Sequence, residues 1–138
     1  MNNKVQRVAG KAVIQTSDGI LILKPSGIDP NKKWHIPGGI RDDIEEPILA
    51  TAIREVQEET KIILNNEHNV VLRIGEWSAK DKGEDVKILA IFFHFLLNKI
   101  PEIELSAEHD DFAWINKQNL GSYDVNKETI EIVHQLFP

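Results

Sequence analysis

The stretch from Pro47 to Thr60, PILATAIREVQEET, determines how the rest of the chain is interpreted. Its apolar side chains recur at helical spacing, so they form one stripe suited to packing against a core, namely Leu49, Ala52, Ile53 and Val56. Proline is tolerated in the first turn of a helix, and Glu45 and Glu46 just before it suit the positive end of the helix dipole. The pattern predicts an amphipathic helix over 47–60.

Apolar runs on both sides of this helix predict strands. They are Lys11 to Gln15, Ile20 to Lys24, the short extended piece Trp34-His35-Ile36, Val70 to Ser78, Lys87 to Leu97 and Phe112 to Ile115. Ser17-Asp18-Gly19 and Pro37-Gly38-Gly39 predict turns. Asn126 is the predicted N-cap of a final helix, with Ile130, Val133 and Phe137 on its apolar side. The sequence therefore predicts an α/β domain with a mixed sheet between helical layers.

Composition narrows the class of protein. The 138 residues are the length of a single domain, expected to span residues 1–138. The lack of cysteine excludes disulfides, zinc–thiolate sites and a cysteine nucleophile. Met1 to Gly10 lacks the apolar stretch of a secretion signal, and no apolar run is long enough to span a bilayer. These features favour a cytoplasmic protein without a membrane partner.

Negative charge is concentrated in one segment of the chain. Seven acidic and two basic residues lie between Arg41 and Glu59, a balance of −5 within a total of −6. Such a segment repels nucleic acid and anionic membranes, but it attracts cations. We therefore expect a small-molecule partner and no long nucleic acid.

Three acids of the predicted helix, Glu55, Glu58 and Glu59, share one arc beside the apolar stripe. Acids at this spacing repel one another, and they lie near the helix C-terminus, where the dipole favours cations. A solvated acidic face is one interpretation. A bound hard cation is the other, because Mg²⁺ prefers carboxylate oxygens and would offset the repulsion. Gly38 and Gly39 lack a Cβ, so a backbone carbonyl there is able to approach such an ion.

These acids belong to a longer motif. Pro37-Gly38-Gly39, then Glu46, then Arg54-Glu55-Val56-Gln57-Glu58-Glu59-Thr60 resembles the box of the Nudix hydrolases, the MutT-like pyrophosphohydrolases. Six residues separate Gly39 from Glu46, one more than in the family pattern. Glu45 has the right distance from Gly39, but Glu46 has the right distance from Arg54, and we prefer Glu46 because a loop can absorb an insertion. Lys61 replaces the family's glycine, which resembles a left-handed helix terminator.

The resemblance implies a fold, a cofactor and a set of roles. The fold would be a Nudix-like α/β/α sandwich, and the cofactor Mg²⁺, with Mn²⁺ as an alternative. The metal ligands would be Glu55, Glu58 and Glu59 with a carbonyl of Gly38 or Gly39. The catalytic candidates are Glu58 and Glu108, with Arg54 orienting the carboxylates and Glu46 bracing the site. Trp34 and Gly38 are candidate substrate contacts.

The late-loop acid of the family is harder to assign. Glu108 is preferred because it lies a few residues before Trp114, and the competitors are Glu104, Asp110 and Asp111. Trp77 is a second aromatic candidate for stacking on a base, although buried aromatic packing is the preferred interpretation for both tryptophans. His109 is close to the predicted site, but a loop histidine is usually exposed.

The resemblance predicts water attack on a diphosphate linkage, in a nucleoside diphosphate linked to another group. A nucleoside triphosphate is the preferred substrate. The alternative from another class is a Nudix-like module that binds a nucleotide or metabolite without cleaving it. Hydrolysis of an RNA end is disfavoured, because the chain has no basic stripe. A homodimer is compatible with the sequence.

Overall fold

The computed structural model describes residues 4–27, 32–67 and 69–138. The elements in chain order are β1 (Val5–Thr16), β2 (Gly19–Pro25), β3 (Gly38–Ile40), α1 (Ile48–Thr60), β4 (Val70–Asp81), β5 (Glu84–Leu96), β6 (His109–Ile115), a 3-10 turn (Leu120–Ser122) and α2 (Lys127–Leu136). The six strands form one mixed sheet, as predicted.

Strand β1 is the centre of this sheet. The order of the strands is β4-β5-β1-β2-β6, and β3 pairs with β1 beside β2. β1 and β5 run parallel, in a register that joins Val5 to Val86, while the other pairs are antiparallel. β1 therefore contacts both the first and the second half of the chain.

One helix covers each face of the sheet. Ala52 and Val56 of α1 are fully buried against one face, and Leu49 and Ile53 are partly buried in the same cluster. On the opposite face α2 packs through Ile132 and Val133. The predicted α/β/α layering and the apolar stripe of α1 are confirmed. Each fully buried valine or isoleucine side chain contributes roughly 1.5–3 kcal/mol to the free energy of unfolding.

Two local predictions were wrong. Gly38 and Gly39 do not form a turn; they lie in β3, where they pair with Lys11 and Gly10 of β1. Turn propensity is a local property, and pairing with a distant strand overrides it. In α2, Val133 and Phe137 pack in the core as predicted, but Ile130 is partly exposed and Ile132 is the buried isoleucine.

The ends of both helices follow the sequence prediction. Asn126 caps α2, and its side chain accepts a hydrogen bond from the Thr129 backbone N–H. α1 ends at Lys61, whose backbone is left-handed with φ 65° and ψ 6°. The segment after β5 then crosses this end, where Glu104 N–H donates to Thr60 O and Ser106 N–H donates to Glu59 O. The late loop is thereby fixed beside the acidic turn of α1.

Within the described residues, no helix is both long enough and apolar enough to cross a membrane.

Candidate active site

The last two turns of α1 lie against β3, and this places two glutamates on the glycine pair. Glu59 is 4% exposed, and its Oε1 accepts a hydrogen bond of 2.9 Å from the Gly38 N–H. The carboxyl group of Glu55 lies directly over Gly39, where an added Cβ would come within 2.5 Å of the Glu55 Cδ. Gly39 is therefore required for this close approach.

Arg54 connects the carboxylates of the acidic segment. It donates from Nε to Glu46 Oε2 at 2.9 Å and from Nη2 to Glu46 Oε1 at 3.1 Å. Its Nη1 contacts Glu55 Oε1 at 3.2 Å and Glu58 Oε1 at 3.1 Å. The structure thus brings Arg54, Glu46, Glu55 and Glu58 together, and four hydrogen bonds join the guanidinium to the three carboxylates.

Glu46 rather than Glu45 is the glutamate that meets Arg54. Besides the paired contacts with Arg54, its Oε1 accepts a 2.6 Å hydrogen bond from Thr51 Oγ1. These hydrogen bonds lower the pKa of Glu46 to about 2. Glu45 is exposed, and its side chain has no hydrogen-bond partner among the described residues; its backbone N–H donates to Asp43 Oδ1. Fixed helical spacing to Arg54 therefore outweighs the extra loop residue.

Burial changes the charge state of the metal-ligand candidates. Burial raises the pKa of Glu59, and the nearby charge of Lys11 and the Gly38 hydrogen bond only partly oppose this. Burial likewise raises the pKa of Glu55, against the attraction of Arg54. Burial lowers the pKa of Lys11, while Glu59 and Glu55 raise it. Two carboxyls with raised pKa values, side by side, are poorly compensated by the protein alone.

A pair of histidines lies beneath Glu59. His35 Nδ1–H donates to the carbonyl of Ile36 at 3.0 Å, and burial lowers the pKa of His35 to about 3. His35 is therefore neutral, and its Nε2 accepts from His109 Nε2–H at 3.0 Å. The same His109 nitrogen lies 3.7 Å from Glu59 Oε2. In this arrangement His109 Nδ1 carries a lone pair and is buried, and no group among the described residues donates a hydrogen bond to it.

Glu108 is the late-loop acid that reaches this cluster. Ligand atoms of Glu59, Glu108 and His109 all lie within 4.8 Å of one another. Two of its competitors are engaged elsewhere: Asp110 Oδ2 accepts from the Gly27 N–H, and Asp111 Oδ1 accepts from the Phe112 N–H. The geometry thus places Glu108 beside the α1 glutamates.

The donor set fits a hard divalent cation. It offers carboxylate oxygens from α1 and the late loop, close to a backbone that only glycine permits, which is the chemistry that Mg²⁺ and Mn²⁺ prefer. The raised pKa values of Glu55 and Glu59 also favour a bound cation, because a nearby positive charge would stabilise both ionised forms.

A small cavity adjoins these acids. Its volume is about 170 Å³, and its lining includes Gly39, Lys11, Trp77 and Ile88. A larger cavity of about 330 Å³ shares Ile40 with it and carries charged side chains of both signs, among them Arg7, Arg41, Asp42 and Asp81. The small cavity is the one that combines an aromatic wall with the border of the acidic cluster.

Several site residues differ from the sequence interpretation. Trp34 packs edge-on against Tyr123 at 5.0 Å, and Trp77 instead lines the cavity. His109 is 8% exposed, not a solvated loop residue, because it begins β6. Lys11 and His35 were missed. The sequence does contain a signal for Lys11: in a strand, residues two apart lie on the same face, so Lys11 shares a face of β1 with the buried Ala9 and Val13.

Comparison with known proteins agrees with this geometry. The sequence model of the NUDIX domain matches residues 5–136. The nucleoside triphosphatase NudI of Klebsiella pneumoniae strain 342 is 26% identical over 136 residues, which cover 90% of this chain and 92% of that protein. The MutT protein of Methanosarcina mazei Go1 superposes with a TM-score of 0.73 at 23% identity, covering 98% and 95% of the two chains.

A second similar structure contains a ligand. The NUDIX domain of Shewanella oneidensis NrtR, complexed with ADP ribose, has a TM-score of 0.72 at 15% identity and covers 99% of this chain and 88% of its own. At such identities the two solved structures show the fold, while the sequence model shows the family. The chain therefore belongs to the Nudix family and has the glutamate-rich helix of a Nudix pyrophosphohydrolase.

Proposed function

We propose that this chain hydrolyses a phosphoric anhydride bond of a nucleoside triphosphate in a Mg²⁺-dependent reaction. The observation that carries the proposal is the convergence of Glu55 and Glu59 on the Gly38–Gly39 backbone, with Glu58 joined to Glu55 through Arg54, beside a cavity with an aromatic wall. The similarity to a nucleoside triphosphatase supports the choice of substrate class.

Glu55, Glu58 and Glu59 would hold the metal, with Gly39 providing the close backbone. When bound, Mg²⁺ supplies neutralisation of phosphate charge and a lowered pKa of a coordinated water. The protein keeps these carboxylates in place through Arg54, which spans Glu46, Glu55 and Glu58. Without such cations, the −5 segment would repel a polyphosphate.

Glu108 is the candidate to accept the proton of the attacking water. It is exposed and lies in the cluster with Glu59 and His109, so it is open to a substrate while staying close to the α1 acids. His109 is buried behind it and bonded to His35, which holds this end of β6 in place. The buried His109 would thus support the loop, and the exposed Glu108 would act as the base.

The small cavity would take the nucleoside. Trp77 provides an aromatic face, and Ile40 and Ile88 supply apolar contacts. At about 170 Å³ it is smaller than the roughly 300–1,000 Å³ of typical ligand pockets, which suits one base and leaves the phosphates outside. We propose a single-domain, cytoplasmic enzyme with no long nucleic acid as partner.

The test is a screen of purified protein with Mg²⁺ against nucleoside triphosphates, nucleotide sugars and dinucleoside polyphosphates. Released phosphate and pyrophosphate are measured with and without EDTA. We expect release from nucleoside triphosphates that requires the metal and is largely lost in Glu58→Gln. Glu76→Gln is the matched control, because Glu76 is exposed on β4 and paired with Lys87 at 3.1 Å.

Three outcomes would oppose the proposal. Turnover that persists in EDTA would exclude the metal-dependent reaction. Saturable nucleotide binding without any turnover would favour the non-catalytic binding module. Cleavage confined to another class of the panel would correct the substrate. Light scattering determines separately whether the protein is a monomer or a homodimer.

A further inference from the structure

Lys11 is a charged residue beside the candidate active site to which the proposed reaction gives no role. It lies in β1 opposite Gly38, and it lines the same small cavity as Gly39 and Trp77. Its charge acts on both Glu59 and Glu55. Lys11 therefore borders the cavity on one side and the metal-ligand candidates on the other.

Among the described residues, no protein group accepts a hydrogen bond from the Lys11 ammonium group. No carboxylate of these residues lies within 4.0 Å of it either. Lys80, which lines the same cavity, is different: its Nζ is paired with Asp85 at 2.7 Å and its side chain is 70% exposed. A lysine turned inward without an ion pair is costly to keep. Its three N–H donors remain available to a ligand.

Two other cations near the acidic cluster, Arg54 and Arg41, do not line the small cavity. Arg54 is bound to three glutamates, and Arg41 donates to the backbone carbonyl of Glu46. The cations that line the small cavity are Lys11 and Lys80, and Lys80 is paired with Asp85, so a ligand phosphate that enters here would meet Lys11.

We propose that Lys11 binds the phosphate nearest the nucleoside, and that it thereby sets the requirement for a 5′-phosphorylated substrate. The proposal rests on the proposed function. The order of groups in the protein is cavity, Lys11 and carboxylates, which matches the order of base with sugar, first phosphate and remaining phosphates in a nucleotide. The first phosphate therefore falls at Lys11, and the following linkage falls at the glutamates.

Product-like ligands test this without turnover and without metal. Binding of the ribo- and deoxyribonucleoside monophosphates of the common bases is measured by calorimetry in EDTA, each beside its matching nucleoside. A hydrogen bond between charged groups is worth about 1.5–3 kcal/mol, so the wild type should prefer the monophosphate by about 10- to 100-fold. Lys11→Met should abolish that preference and keep nucleoside binding. Lys11→Arg should restore much of it.

The control is Lys87→Met, because Lys87 lies on the neighbouring strand β5 but is exposed and paired with Glu76. It should keep the wild-type preference. Melting temperatures in EDTA verify that each variant is folded. A monophosphate preference that survives in Lys11→Met, or that is missing from the wild type, would overturn the proposal.

Mg²⁺ affinity in the absence of nucleotide separates this role from an indirect one. Loss of Mg²⁺ affinity in Lys11→Met with an intact monophosphate preference would mean that Lys11 only organises Glu59. The two proposals also fail separately. Triphosphate turnover with no Lys11-dependent preference refutes only the role of Lys11, while a Lys11-dependent preference without turnover refutes only the hydrolase proposal.

Discussion

Replacing Lys61 with glycine should stabilise the protein. Lys61 ends α1 with φ 65°, and its N–H donates to Gln57 O, so the left-handed cap is formed despite the side chain. A Cβ in this conformation costs about 1–2 kcal/mol. The greater entropy of glycine in the unfolded state offsets roughly 0.5–1 kcal/mol of the gain from removing it. Loss of the lysine charge removes about 0.3 kcal/mol of favourable interaction with the helix dipole. The expected net gain is about 0.5 kcal/mol.

For 138 residues, an unfolding entropy of about 2.1 cal/mol/K per residue converts this gain into a Tm increase of about 2 °C. The assay is thermal unfolding in EDTA, followed by circular dichroism. Lys61→Ala is the matched control, because it removes the charge and keeps the Cβ, and it should show no gain. Lys82 also has a left-handed backbone, with φ 53° in the β4–β5 turn, so Lys82→Gly should raise the Tm in the same way as Lys61→Gly. Equal Tm values for Lys61→Gly and Lys61→Ala would refute the reasoning.

Three further results are expected. Glu108→Gln should lower kcat by about 10²–10⁴-fold with an unchanged Tm, whereas Asp110→Asn should retain activity; a normal kcat in Glu108→Gln would exclude it as the base. Glu46 has a pKa lowered to about 2, so its stabilising effect is present above its ordinary value of 4.5 and is lost as pH falls through 2; Glu46→Gln should therefore melt lower than wild type at pH 7 and equally at pH 2. Glu58→Gln should change Tm little in EDTA, because repulsion by Glu55 and the exposed pair with Arg54 nearly cancel, yet it should gain much less Tm than wild type from excess Mg²⁺.

The parts of the fold that the sequence predicted are those specified by local spacing. The stripe of α1 repeats every three or four residues, and Arg54 meets Glu46 and Glu58 because helical geometry fixes their separation. The left-handed end at Lys61 and the Asn126 cap are also local, since each involves residues within one turn. Such features do not depend on what the rest of the chain does.

The parts that the sequence did not predict depend on distant partners. Gly38 and Gly39 become a strand only because β1 pairs with them. His109 is buried only because β6 pairs with β2 and brings it to His35. Lys11 becomes a site residue only when α1 is placed across the sheet. Local propensity contains no information about these contacts, which arise from tertiary packing.

The parallel pairing of β1 with β5 has a consequence for synthesis on the ribosome. Val5 must wait for Val86, about 80 residues later, before their strands can join. Pairings of such long sequence separation are slow to form, because the loop-closure entropy must be overcome first. Helix α1, with its glutamates, emerges well before the strand and loop that enclose them. A nascent chain stalled before Glu84 should therefore be sensitive to protease and should acquire protection only once β5 has left the exit tunnel.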